Sequence, residues 1–541
     1  MRGLLTLVCL LLALPVAAVV GSWLAFDAEA LAVLRHQAQT VLGSYAIESL
    51  WLSLGVAAGV ALLGVATAVA VALFSFPGRA LFEWALLLPL AMPAYVLAYA
   101  YTDALQFSGP VQGGLRAAFG LQGALWPDVR SLWGAILLFV LCLYPYVYLL
   151  TRAALGERAG HLMEAARLLG AGLGRRVRTV ALPLARPALM AGVALALMET
   201  LADYGVGSYF GLSTFTTGIY RAWLSMNDAT AAAQLASMLL GVVALLLALE
   251  RRAQSRLRFA STRGGAPRSG EAQAVRLRGG AALAATALCA LPVLLGFVLP
   301  VAWLGAMLWR EATGNAFGLP LDRFAQWAWA SFRLAAIAAA MATLLALALG
   351  FAQRQQVSRL DGLLALGARV LSLGYAIPGA VVAIGIMLPV AWVQARWPQS
   401  GAAALFTSTV AGVLFAYLVR FSAVALQSVE AGYSRVPLSI DETSRLLGAG
   451  RARLFGRLHL PLLRRSALAA ALLVFVDTMK ELPATLVLRP FGSETLAVVA
   501  YNLARDERLA EASLPSLAIV AVGLIPVLLL SRTITRSFDP K

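Results

Sequence analysis

The chain has 541 residues, of which 61% are hydrophobic and only 13% are charged. A soluble protein of this length is about half apolar and about a quarter charged, so the composition excludes an ordinary globular protein and predicts a polytopic membrane protein. Although the net charge is +17, the basic residues other than Lys480 and Lys541 are arginines, and they lie in short loops between apolar runs, which indicates a topology signal rather than a nucleic-acid-binding surface.

Twelve apolar segments are long enough to cross a bilayer, because a hydrocarbon core of about 30 Å needs roughly 20 helical residues. Ten of them lack Asp, Glu, Lys and Arg, and two carry acids. Their polarity does not alternate as it does in the roughly ten-residue strands of membrane barrels, which favours helices over strands. The predicted fold is therefore an all-α polytopic membrane protein with about 12 transmembrane helices. The predicted spans are 3–26, 49–78, 84–102, 131–151, 187–207, 229–249, 279–309, 334–353, 370–395, 397–419, 466–486 and 512–531.

Arginine placement predicts the orientation of these spans. The charge-free run 3–26 exceeds the roughly 7–15 residues of a signal-peptide core, so we expect an uncleaved first helix. An even number of spans places both termini on one side of the membrane. That side also holds loop 152–186 with seven arginines and linker 251–278 with eight. By the positive-inside rule, both termini are predicted to be cytoplasmic.

An internal repeat relates the two halves of the chain by a constant sequence offset. EAARLLGAG at 164–172 returns as ETSRLLGAG at 442–450, and the same offset maps Pro183 onto Pro461. Each copy follows four predicted spans of its half and precedes two, so the halves share one orientation. The predicted organisation is a first transmembrane repeat, a flexible cytoplasmic linker and a second repeat, with one repeated loop in each half. The corresponding ranges are 1–250, 251–280 and 281–541, with loops at about 153–187 and 425–465.

Each repeated loop is predicted to hold a short helix that ends at a glycine C-cap, Gly170 or Gly448. In the second copy, Ser439 and Glu442 have capping-box spacing. Apolar leucines in a loop bathed by water indicate a partner protein. A helix lying on its own membrane domain, with the glutamates as helix caps, is the alternative. These leucines are Leu168, Leu169, Leu446 and Leu447.

The loop pattern of an acidic residue, small residues, a glycine and a later proline resembles the EAA loop of ABC importer membrane subunits. Segments 202–223 and 479–492 are similar to fused permeases of ferric iron importers. The resemblance implies a type I ABC importer fold in the bacterial inner membrane, with a periplasmic ferric-binding protein and two copies of an ATPase subunit as partners. The EAA core becomes Glu-Thr-Ser at 442–444, which predicts unequal docking of the two loops. The implied ATPase-coupling residues are Glu164, Ala165, Leu168, Leu169, Gly170, Glu442, Leu446, Leu447 and Gly448.

Acidic residues interrupt two spans at positions related by the same offset. The acids of each pair are four positions apart, which predicts one shared helix face per pair. Placing an acidic side chain inside a membrane costs free energy unless another group compensates its charge. Four such acids brought together would form an acidic ring that could attract a cation. Ferric ion favours oxygen ligands, so Asp203 and Glu481 are the candidates for iron ligands, with no firm metal site predicted. Pairing of an acid with Lys480 is the alternative. The predicted pathway residues are Glu199, Asp203, Tyr204, Asp477 and Glu481.

The chain has no GxxxxGK[ST] phosphate loop, so it is predicted not to be an enzyme and to bind no cofactor, with ATP and Mg²⁺ held by the partner ATPase. The predicted function is translocation of ferric iron. Alternatives are a permease of the same fold for thiamine, phosphonate, polyamine or sulfate, and an ion-coupled secondary transporter. A secondary transporter needs no pair of matching docking loops, and an intramembrane enzyme would need a catalytic set that is not visible.

Two further signals concern helix geometry. Pro93 and Pro378 lie in similar contexts and predict symmetric kinks. Gly55 and Gly59 have the spacing of a helix-packing motif, which apolar spans also produce by chance.

Overall fold

The computed structural model describes residues 2–25, 27–155, 160–261, 275–314, 319–355 and 361–536. These ranges are mostly α-helical, because a helix satisfies every backbone polar group without help from water. Helices of the first half are α1 (Arg2–Gly21), α2 (Ala28–Thr40), α3 (Leu42–Leu73), α4 (Arg79–Ala85), α5 (Ala94–Leu105), α6 (Pro110–Phe119), α7 (Leu132–Ala154), α8 (Gly160–Leu168), α9 (Leu173–Arg176), α10 (Leu182–Ala202), α11 (Gly205–Tyr209), α12 (Phe215–Tyr220) and α13 (Ala229–Ser261).

The second half continues the same order of long and short helices. Its helices are α14 (Gly280–Val293), α15 (Leu299–Gly314), α16 (Leu321–Arg354), α17 (Asp361–Leu371), α18 (Gly379–Arg396), α19 (Ala402–Thr407), α20 (Ala411–Tyr433), α21 (Leu438–Leu446), α22 (Arg451–Arg453), α23 (Leu460–Lys480), α24 (Pro483–Leu488), α25 (Leu496–Arg505) and α26 (Leu509–Arg536). Two strands, β1 (Phe74–Ser75) and β2 (Val275–Arg276), pair in parallel with Phe74 opposite Val275.

Within the described ranges, 11 helices are long and apolar enough to cross a membrane, or up to 12 when a bent pair counts as one span. The bent pair joins Arg79–Ala91 to Ala94–Phe119 at 89°. Pro93 is the N-cap of α5, and Pro378 is the N-cap of α18. Each proline therefore begins a new helix instead of kinking a continuous one, since a proline favours an extended residue at a helix start, and the symmetry of the two bends remains a prediction.

Several predicted spans are displaced along the chain, and the largest change concerns 397–419. The spans predicted at 187–207, 370–395 and 466–486 are Gly174–Ala202, Gly379–Arg396 and Arg451–Lys480. Residues 397–419 do not form a single helix, because the segment contains a short 3₁₀ turn, α19 and only the first part of α20. The span is instead Ala411–Tyr433, and the loop predicted at about 425–465 begins after Tyr433. In the sequence, Arg420 directly follows the charge-free run 397–419. Arg420 lies within α20 with 8% exposure, where an acidic partner described below compensates its charge.

The chain divides into two compact units that do not follow the sequence repeat. Unit 1 contains Met1–Gln37, Ile219–Leu240 and Pro320–Val499, and unit 2 contains Ala38–Gly218, Gly241–Leu319 and Ala500–Lys541. The repeat boundaries at 250 and 281 remain predictions from the sequence.

Unit 1 is built around α16, α20 and α23, which pack against one another. Helix α1 belongs to the first repeat by sequence, yet in this unit it packs against α17 and α18. Gly385 of α18 allows the close approach, because an added Cβ there would lie 2.3 Å from the carbonyl oxygen of Pro15.

Unit 2 is built around α3, α7 and α10. Helix α14 packs against α3, and α15 and α26 pack against each other and against α5. The α3–α7 contact uses glycines, since a Cβ at Gly55 would lie 2.6 Å from Ile136 and one at Gly59 would lie 2.3 Å from Val140. The Gly55–Gly59 spacing is therefore a helix-packing motif in this unit, although the sequence alone did not separate it from chance.

An ion pair lies in unit 2 just before the start of α7. The Arg130 guanidinium donates to both carboxylate oxygens of Glu507, over 2.8 Å and 2.9 Å, and to the Tyr209 hydroxyl over 2.8 Å. Burial lowers the pKa of Arg130, but these hydrogen bonds outweigh it and raise the pKa overall. Glu507 has a φ of 59°, a left-handed backbone that a non-glycine residue adopts at some cost. The ion pair holds this strained residue in place.

Candidate docking helices and intramembrane acids

The two repeated loops form matching helices. Helices α8 and α21 have nine residues each, and both ends of α8 map onto the ends of α21 by the offset of the sequence repeat. In the second copy, Gly448 donates to the Arg445 carbonyl over 2.9 Å and Ala449 to the Ser444 carbonyl over 3.0 Å. Gly170 and Ala171 make the equivalent pair of bonds in the first copy.

Both helices therefore end in a Schellman motif, and the glycine at its turn is left-handed. Gly170 has a φ of 79° and Gly448 a φ of 80°. The predicted glycine C-caps are confirmed, because only glycine adopts this conformation without strain.

The leucines at the two helix ends are almost fully exposed. Leu168 and Leu169 expose 85% and 88% of their surface, and Leu446 and Leu447 expose 88% and 81%. Ala165 and Glu442 are also exposed, whereas the side chain of Glu164 lies outside the described residues. Contact of leucine side chains with water is unfavourable, and their burial against another apolar surface is favourable. Each helix end therefore presents an apolar contact surface.

The predicted capping box at Ser439 and Glu442 is wrong. Helix α21 begins at Leu438, its N-cap is Pro437, and no side chain caps it. Ser439 therefore lies inside the helix rather than before it. A capping box needs an extended Ser or Thr at the N-cap, and Pro437 occupies that position with ψ 146°.

Sequence reasoning missed an acidic residue that attaches the second helix to unit 1. Asp441 is the one buried residue among the nine of α21. Its Oδ2 atom accepts from Nε of Arg354 over 2.6 Å, and its Oδ1 atom lies 3.4 Å from Nε2 of His459. A comparison of the repeats would have provided a signal, because the equivalent position of the first half is Met163.

The intramembrane acids lie at corresponding helix ends. Helices α10 and α23 end at Ala202 and Lys480, immediately before Asp203 and Glu481. The second acid of each pair is therefore the C-cap of its helix and has an extended backbone, and the shared helix face of each pair remains a prediction.

The second acid of each pair binds the start of the next short helix instead. Asp203 Oδ1 accepts from the backbone NH of Val206 over 2.8 Å, and Glu481 Oε1 accepts from that of Ala484 over 2.8 Å. A carboxylate here satisfies donors that have no partner inside the short helix.

Glu481 is saturated by structural partners. Its Oε1 atom accepts from Nη1 of Arg420 over 2.9 Å, and its Oε2 atom accepts from the Thr485 backbone NH over 3.0 Å and from the Thr485 hydroxyl. Glu481 is 4% exposed. Arg420 thus neutralises this acid, a role that the sequence had suggested for Lys480. These contacts assign Glu481 a structural task, and its role in the pathway remains a prediction.

The other acids are less enclosed. Glu199 and Asp203 are half-buried in unit 2, and Asp477 is half-buried in unit 1. The hydroxyl of Tyr204, beside Asp203, lies 3.3 Å from that of Tyr501, which in turn lies 2.7 Å from Oγ of Ser208. Oxygen atoms therefore cluster beyond the end of α10. No group of three or more His, Cys, Asp or Glu side chains suited to a metal occurs among the residues that the structure covers.

Comparison with known proteins identifies the family. Residues 60–258 and 342–541 each match the family described as "Binding-protein-dependent transport system inner membrane component". The chain is 25% identical over 463 residues to the "Fe(3+)-transport system permease protein FbpB 2" of Haemophilus influenzae, covering 85% of this chain and 84% of the relative.

Two further relatives match shorter segments. The "Putative 2-aminoethylphosphonate transport system permease protein PhnU" of Salmonella choleraesuis is 30% identical over 202 residues, covering 37% of this chain and 71% of the relative. The "Molybdenum transport system permease protein ModB" of Escherichia coli is 34% identical over 131 residues, covering 24% of this chain and 55% of the relative. The chain belongs to the inner-membrane components of binding-protein-dependent transport systems, and it is a fused, multi-pass permease that carries the family's domain twice.

Proposed function

We propose that this ABC importer permease translocates ferric iron delivered by a periplasmic binding protein. The observation that carries the proposal is the extent of the match to the Fe(3+) permease, which includes both halves of the chain. The phosphonate and molybdenum permeases match only 37% and 24% of it.

The charges near the ends of α10 and α23 support a cation rather than an oxyanion. Glu199, Asp203 and Asp477 are carboxylates that are only half-buried. Phosphonate, sulfate and molybdate are anions, and fixed carboxylates would repel them at short range. Hard oxygen atoms are also the ligands that a trivalent iron prefers, and Tyr204 adds a phenol beside Asp203.

The exposed leucines of α8 and α21 support docking of two ATPase subunits, one on each helix. In this proposal both helices and both termini face the cytoplasm, where arginine-rich loops are retained. The permease supplies the pathway, and the partner subunits bind ATP and Mg²⁺. Movement of the docked subunits would pass through α8 and α21 to the membrane helices.

The test is transport by the full chain in proteoliposomes with its ATPase and a ferric-loaded binding protein. We expect ATP-dependent accumulation of labelled iron inside the vesicles, and none with a non-hydrolysable ATP analogue. Thiamine, a polyamine, sulfate, molybdate and 2-aminoethylphosphonate, each with its own binding protein, serve as competing substrates. ATP-dependent uptake of one of these without uptake of iron would reject the ferric assignment and keep the importer.

The proposed orientation has its own test. A single cysteine at Leu446 should react with a membrane-impermeant maleimide in inside-out vesicles and stay unlabelled in intact spheroplasts, after the three native cysteines are replaced. All three are buried in the structure. Labelling in spheroplasts alone would reverse the orientation.

A further inference from the structure

The attachment of α21 to its unit is ionic. Eight of the nine residues of α21 are exposed or half-buried, and the exception is Asp441, at 3% exposure. A surface helix ordinarily attaches through an apolar stripe. The buried contact of α21 is instead a carboxylate, so whatever holds Asp441 also holds the helix.

Arg354 provides that contact with two of its guanidinium nitrogens, and the third bonds the end of α20. Nε and Nη2 lie 2.6 Å and 3.4 Å from the two carboxylate oxygens of Asp441. Nη2 also donates to the Pro437 carbonyl over 2.8 Å, and Nη1 donates to the Tyr433 carbonyl over 3.3 Å. A planar guanidinium fixes the direction of its partners as well as their distance, which a lysine ammonium cannot do.

The contact joins α21 to three membrane helices of unit 1. Arg354 is the last residue of α16, Tyr433 is the last residue of α20, and His459 is the N-cap of α23. His459 is fully buried, and its ring packs against those of Phe351 and Tyr433 at 5.3 Å and 5.4 Å between centroids. A displacement of Asp441 therefore acts on the ends of α16, α20 and α23 together.

The equivalent positions of the first half cannot form this ionic contact. The offset of the sequence repeat maps Arg354, Tyr433, Asp441 and His459 onto four apolar residues. In the same order, these are Phe76, Leu155, Met163 and Ala181. Phe76, Leu155 and Ala181 are buried in unit 2. Apolar contacts have no fixed direction, so they permit sliding that an Arg–carboxylate fork resists.

We propose that Arg354 and Asp441 are positioning residues that make α21 a rigid lever, whereas α8 lacks this ion pair because the equivalent positions are apolar residues. The proposal rests on the docking role given to α8 and α21 above. ATP-driven movement is transmitted to unit 1 through a directional ion pair, and the two docking sites are mechanically unequal.

The experiment uses the full chain reconstituted with its ATPase and binding protein. We expect Asp441→Asn and Arg354→Lys to keep the ATPase bound and hydrolysing, while the substrate transported per ATP falls about tenfold, the size of a typical coupling free energy. Arg354→Lys keeps the charge and loses the fork. The matched controls are Arg435→Gln, at an exposed arginine beyond α20, and Met163→Leu, at the equivalent position of the first half.

A second readout does not depend on transport. Spin labels at Ser439 and Ala431, both exposed positions of unit 1, report the distance between α21 and α20. We expect a narrow distance distribution in the unmodified chain and a broad one in Asp441→Asn and Arg354→Lys. The Arg354→Gln/Asp441→Asn double variant leaves no unpaired charge and serves if a single variant fails to fold.

The possible outcomes distinguish the lever from the docking role on which it rests. Unchanged transport per ATP with an unchanged distance distribution overturns the lever. A parallel loss of hydrolysis and transport, in proportion to lost folded complex, also overturns it, because the pair would then only stabilise the fold. Failure of the unmodified chain to bind any ATPase rejects the docking role of α8 and α21, and the proposed lever is then rejected as well.

Discussion

Replacing Glu481 tests whether this buried acid stabilises the fold or belongs to the pathway. In Glu481→Gln the side chain keeps an oxygen that can accept from Ala484 or Thr485, but Arg420 loses its charged partner. Arg420 is 8% exposed, so its charge would remain uncompensated inside unit 1. Breaking a buried ion pair by removing one partner costs about 3–5 kcal/mol, a large share of a net stability of about 5–15 kcal/mol.

The same change at Asp203 should cost far less. Asp203→Asn keeps an oxygen for the backbone NH of Val206, and Asn is as good a cap as Asp. We therefore expect Glu481→Gln to lower the melting temperature and the folded yield strongly, and Asp203→Asn to leave both nearly unchanged. If the pathway proposal holds, Asp203→Asn lowers iron uptake per folded complex.

The assay combines size-exclusion thermal stability in detergent with iron uptake per folded complex. The matched control is the Arg420→Met/Glu481→Met double variant, in which no charge is left unpaired, so much of the stability lost in Glu481→Gln should return. A Glu481→Gln protein with wild-type stability and reduced uptake would refute the structural argument and return Glu481 to the pathway.

The remaining predictions concern backbone conformation and the docking surfaces. Gly170→Asp and Gly448→Asp should each release the ATPase during co-purification, because a side chain at these left-handed positions strains the cap by about 1–2 kcal/mol and adds charge beside the leucines. The Gly448 lesion should be the more severe, since α21 is tied to three membrane helices. Equal losses over a graded Ala, Asn and Asp series would contradict unequal docking. Asn227→Gly, at a φ of 52°, should raise thermal stability by up to about 1 kcal/mol, and an unchanged melting temperature would show that this backbone is unstrained. Arg130→Met should lower stability by leaving the strained Glu507 without its partner, measured against the conservative Arg130→Lys.

Apolar run lengths and repeated motifs predicted the helices and the docking loops, because both depend on local sequence. Gly170 and Gly448 required only a glycine after a short helix. The misplaced span 397–419 depends on a pair of residues distant in sequence. In the sequence, Arg420 ends an apolar run. Its burial inside α20 is explained only by its contact with Glu481, 61 residues later.

Asp441 shows the same limit for the candidate site. An acid next to Glu442 looks like a solvated residue of an exposed loop, and only the position of Arg354, 87 residues earlier, makes it the buried attachment of α21. The acids after α10 and α23 were found from the sequence, but their bonds to the following short helices depend on where each long helix ends. Helix ends are set by tertiary contacts that composition does not contain.

The placement of α1 in unit 1 has a consequence for how the protein is made. This helix is synthesised long before α17 and α18, against which it packs and which belong to the second half of the chain. Helices α14 and α15 belong to the second half of the chain but lie in unit 2, and most of the other helices of that unit are synthesised before them. The nascent first half must therefore keep the inner face of α1 covered by lipid or by an insertion chaperone until the second half arrives. Joining both halves in one polypeptide guarantees that α17 and α18 always reach the same membrane site as α1, in equal number and at high local concentration.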